Sequence, residues 1–97
     1  MAEAPDDGLP AYLIGRGLFG SEAWPDASGY LDKALARDLR EPRVVLEALR
    51  LRIIAACAQQ DDAAAREFMK TWRAHPDLQA ARWQALERRL GGCVREH

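Results

Sequence analysis

The sequence predicts an all-α protein built from antiparallel helical hairpins. Ala, Leu and Arg supply 42 of the 97 residues, whereas Val, Ile and Thr together supply seven. Ala and straight-chain residues lose little side-chain freedom in a helix, and sheets favour the branched residues that are scarce here. Turn chemistry cuts the chain into segments of helical length, and apolar residues between the cuts recur every three or four positions.

The segments follow in order. Pro10 suits the first turn of a helix, and Leu9, Leu13, Ile14 and Leu18 continue at helical spacing. The stretch from Gly20 to Trp24 breaks that pattern. Pro25 opens a second helix, with Asp26 in the first turn where the helix dipole favours an acid. Its apolar face is Ala27, Leu31, Ala34 and Leu35. Residues 37–41 connect to Pro42, and a third helix runs to about Gln59. Apolar residues cover more than one face of that helix, which predicts neighbours on two sides. Asp61 and Asp62 cap a fourth helix whose inward stripe is Ala65, Phe68, Met69 and Trp72. His75-Pro76-Asp77 ends it, and Asp77 caps a fifth helix carrying Trp83, Leu86 and Leu90. Gly91-Gly92 stops this last helix by allowing a left-handed residue. Short connections make consecutive helices antiparallel neighbours. Residues 9–91 form the domain, 1–8 read as a flexible leader and 92–97 as a flexible tail.

Charge and cysteine content narrow the function classes. Fourteen Lys+Arg against fifteen Asp+Glu leave a net charge of −1, which disfavours nucleic-acid binding held by bulk charge. No run approaches the length of a membrane span, and the acidic first residues do not read as a secretory signal. Cys57 and Cys93 lie far apart in sequence and outside any CxxC motif, which predicts unpaired thiols and a reducing cytoplasm. Glu47 is within helical reach of both Arg43 and Arg50, as on a solvated, ion-paired face. His75 and His97 have no partners at metal-ligand spacing, so no metal or other cofactor is expected. No set of groups converges on an enzyme mechanism.

The chain also carries a weak internal repeat. The stretch from Ala27 to Leu35 aligns with that from Ala64 to Trp72, 37 positions on. Such a period is a sign of stacked hairpins that cover one another's apolar faces. On these residues the sequence resembles the tetratricopeptide repeat family, whose units are helix–turn–helix repeats of about 34 residues. Residues 8–41 fit the pattern: Ile14-Gly15 match its Leu-Gly pair, Leu18 its next bulky position, and Ala27, Leu31 and Ala34 its small–large–small series. Ala48, Leu51, Ala64, Phe68 and Pro76 match in a second unit, 45–78. Arg52 and Gln59 depart from it there, as does Leu39 in place of the first unit's closing Pro.

The resemblance implies a right-handed stack of two such units plus a C-terminal capping helix, with Gly15 where two helices cross. It further implies an interaction module with a concave groove for a partner peptide or helix. Groove candidates are Tyr12, Leu13, Arg16 and Phe19 in the first unit and Leu46, Leu49, Arg50 and Ile53 in the second. A mixed apolar and basic groove favours an amphipathic or acidic segment. The chain has no Asn, which argues against the subgroup that grips chaperone tails with Asn and Lys. Trp83, Leu90 and Val94 are candidates for self-association. Alternative readings are a small bacterial-type secretion or assembly chaperone that sequesters one apolar segment, and a repeat domain excised from a larger protein.

Overall fold

The computed structural model describes residues 7–76 and 80–94, the side chains of residues 80, 81 and 83 excepted. It is all-helical. Five helices follow in order: α1 (Leu9–Gly20), α2 (Trp24–Ala36), α3 (Pro42–Ala58), α4 (Asp62–Arg73) and α5 (Ala80–Leu90), then a short 3-10 turn, Gly91–Cys93. Pro10, Pro25 and Pro42 each stand in the first turn of their helix, where the missing N–H costs nothing. The Asp61 side chain accepts from the Ala64 N–H at 3.3 Å and caps α4. Gly91 adopts the left-handed conformation, with φ of 62°, and ends α5. The expected cap at Asp77 lies outside the described residues.

The helices pack in sequence, α1 on α2, α2 on α3 and α3 on α4, with α5 against α4. One apolar cluster joins Tyr12 and Leu31 to Ala48 and Leu51; a second joins Ile53 to Met69, Trp72, Leu86 and Val94. In the first hairpin Gly15 lies at the crossing of α1 and α2. A Cβ built there would meet the Leu31 Cγ at 3.0 Å and its backbone N at 3.2 Å. Asp7 and Gly8 pack against the helices. Asp7 Oδ1 accepts from the Leu9 N–H, and the Gly8 N–H donates to the Asp38 carbonyl at 3.0 Å. A side chain at Gly8 would strike the Ala34 carbonyl oxygen at 2.6 Å, so the close approach requires glycine.

Both hairpins turn in the same way. Glu22 and Gln60 each have φ of 60°. The Glu22 N–H bonds the Phe19 carbonyl, and the Ala23 N–H bonds that of Leu18; Gln60 to Cys57 and Asp61 to Ala56 repeat the pair. These are Schellman motifs, which satisfy carbonyls at a helix end. The repeat is therefore 38 positions, one more than the sequence alignment gave. With that register, buried Ala27, Leu31 and Ala34 correspond to buried Ala65, Met69 and Trp72, whereas Ala64 and Phe68 are only half-buried. Gly15 then corresponds to Ile53, which is fully buried. The second hairpin has no small-residue notch at this position.

Two residues that break the repeat pattern join the hairpins. Arg52, almost fully buried on α3, donates from Nε to Asp32 Oδ1 of α2 at 2.7 Å and stacks 4.8 Å from the Phe68 ring of α4. Gln59 donates from Nε2 to Ser28 Oγ at 2.8 Å.

The cysteines depart from expectation. Cys57 and Cys93 form a disulfide, with their Cα atoms 5.8 Å apart. They meet because the chain beyond α5 folds back onto α3, a contact that no local pattern encodes. Cys93 and Val94 accordingly belong to the packed domain rather than to a tail.

Candidate functional site: an arginine-rimmed cleft

A cleft of about 710 Å³ opens between α3 and α5, with Trp72 of α4 contributing to its lining. Helix α3 supplies Arg43, Leu46, Glu47 and Arg50, and α5 supplies Arg82, Ala85, Leu86 and Arg89. Each set falls at positions i, i+3, i+4 and i+7, so each is a single stripe along its helix. Leu46, Trp72 and Leu86 form the apolar part, and the arginines form the polar part. Trp72 is 2% exposed, and its Nε1 is buried without a hydrogen-bond partner among the described residues.

Glu47 is occupied by Arg50. Arg50 donates from Nε to Oε2 at 3.1 Å and from Nη2 to Oε1 at 2.9 Å, a two-point contact. Those hydrogen bonds hold the Arg50 guanidinium above its ordinary range, against the opposing effect of its burial; the charge of Glu47 and the phenol of Tyr12 act in the same direction as the bonds. Arg43, Arg82 and Arg89 are exposed and make no ion pair among the described residues. Arg43 stands in the first turn of α3, which contains no acid. A helix dipole disfavours cations at that end.

The structure distributes the sequence candidates over three places. Leu46 and Arg50 line the cleft. Tyr12, Leu49 and Ile53 are core residues, and none of them lines the cleft. Apolar neighbours on two sides of α3 draw Leu49 and Ile53 inward. Leu13 and Arg16 are exposed on α1, outside the cleft lining, and half-buried Phe19 packs edge-on against Trp24 at 5.2 Å. Val94, a self-association candidate, is buried against the second core cluster, and Leu90 packs on the same cluster. The Trp83 side chain lies outside the described residues. Sequence reasoning missed Arg82 and Arg89, although 82, 85, 86 and 89 form a readable helical stripe.

Among the described residues no group of three or more His, Cys, Asp or Glu is placed to hold a metal ion. None of the helices is long and apolar enough to cross a membrane. Comparison with family models, curated proteins and solved structures found no match to this chain.

Proposed function

We propose that this chain is a non-catalytic interaction module that takes a partner peptide or helix in the cleft between α3 and α5. The cleft itself carries the reading: about 710 Å³ with an apolar lining at Leu46, Leu86 and Trp72, bordered by arginines at helical spacing. Aromatic and arginine groups are favoured anchors because they bury much area for few degrees of freedom. The tetratricopeptide-like character belongs to the same proposal. It is supported by the Gly15–Leu31 crossing and the repeated turn at Glu22 and Gln60. The missing notch at Ile53 weighs against a second regular unit.

The expectation of a reducing cytoplasm rested on unpaired thiols, and a Cys57–Cys93 bond fits an oxidising compartment better. The chaperone reading draws on another surface. Leu9, Leu13 and Ile14 on α1 are 43%, 52% and 47% exposed, an apolar face suited to an apolar segment.

A displayed library of short peptides, selected in parallel on the wild type and on Leu46→Glu, tests the proposal. Arg89→Glu on the exposed rim serves as a second variant, and circular dichroism verifies that each is folded. Sequences enriched on the wild type and lost on a folded variant support the cleft. Enrichment that both folded variants retain moves the site elsewhere, and a library without enrichment refutes the binding reading.

A further inference from the structure

The charge in the cleft is not what the composition of the chain supplies. Acids outnumber bases overall, yet among the described residues the cleft gathers four arginines against one glutamate. Arg50 engages both oxygens of that glutamate, so Glu47 neutralises one guanidinium and leaves three. One of the three, Arg43, stands in the first turn of α3, where the helix dipole adds to the local potential. The apolar part of the lining beneath them is half-buried Leu46 with the almost fully buried Leu86 and Trp72.

On the reading that this cleft binds a peptide, we propose that its occupant is an acidic segment of a partner protein. Carboxylates of the segment sit on Arg43, Arg82 and Arg89, and an aliphatic side chain between them covers half-buried Leu46. Guanidinium and carboxylate match in shape as well as charge, which gives orientation to a ligand that an apolar floor alone would hold loosely. Nucleic acid fits less well. Single strands need aromatic faces open for stacking, and Trp72 is 2% exposed.

The test is fluorescence anisotropy with a short labelled peptide alternating Glu and Leu, its Gln-for-Glu and Lys-for-Glu counterparts, and a single-stranded oligonucleotide. The Glu peptide binds, and replacing Glu by Gln weakens it by about tenfold or more. The double variant Arg82→Glu, Arg89→Glu, on exposed positions, produces a similar loss and improves binding of the Lys peptide. Raising the ionic strength weakens the Glu peptide, because the rim is open to solvent. Equal binding of the Glu and Gln peptides overturns the acidic assignment and leaves the module reading intact. Preference for the oligonucleotide replaces the partner class by nucleic acid. Failure of every peptide refutes both.

Discussion

Cys57 in α3 and Cys93 beyond α5 are bonded across 36 positions, and the bond ties one wall of the cleft to the other. Closing a loop of that length removes freedom mainly from the unfolded chain. Reduction, or Cys57→Ser, is expected to lower unfolding free energy by about 4 kcal/mol. Urea denaturation with and without a dithiol reductant measures it. Equal midpoints would show that the two sulfurs are not joined in solution.

Gly15 and Gly17 lie two residues apart in α1 and should respond in opposite directions. A side chain at Gly15 presses on Leu31, so Gly15→Leu costs about 1–3 kcal/mol. A Cβ at Gly17 meets nothing within 4 Å. Gly17→Ala therefore gains roughly 0.5–1 kcal/mol through helix propensity. Thermal unfolding of the two variants checks both signs, and equal shifts would contradict the crossing.

Glu22 and Gln60 hold left-handed backbone conformations that cost a side-chain-bearing residue about 1 kcal/mol. Glycine removes that cost, so Glu22→Gly and Gln60→Gly each stabilise the protein by several tenths of a kcal/mol to about 1 kcal/mol. The two gains should add, because the turns belong to different hairpins. Chemical denaturation of the single and double variants decides it.

Arg52 is buried with Asp32 as its ion-pair partner, and Asp32 is half exposed. Asp32→Ala leaves a guanidinium in the core without its carboxylate and costs about 1–3 kcal/mol. The double variant Asp32→Ala, Arg52→Leu should recover most of this, since an apolar side chain can pack against Phe68 without a partner. A double-mutant cycle by urea denaturation gives the coupling. Additive losses would mean that the ion pair contributes nothing.

Much of the fold was legible because its signals are local. Three prolines, the Asp61 cap and the glycine after α5 mark helix ends wherever they occur. Gly15 was readable as a notch through the repeat resemblance, since Ile14-Gly15 match its Leu-Gly pair. The register of the second hairpin was not readable. Both hairpin turns use a left-handed residue other than glycine, and Glu22 and Gln60 carry no compositional mark of it. The disulfide was equally hidden, since 36 intervening residues encode no geometry until α5 has packed. The site was half visible. Helical spacing places Leu46, Leu49, Arg50 and Ile53 on neighbouring faces of α3, but only packing on two sides decides that Leu49 and Ile53 turn inward.

The central claim, that α3, Trp72 and α5 enclose a binding cleft, is tested most directly by nuclear magnetic resonance. Amide and indole resonances would be followed while the alternating Glu–Leu peptide is titrated into the oxidised protein. Shifts concentrated at Leu46, Glu47, the Trp72 indole and the α5 stripe from Arg82 to Arg89 are the predicted result. Shifts confined to the exposed α1 face at Leu9, Leu13 and Ile14, with α5 unmoved, would contradict it.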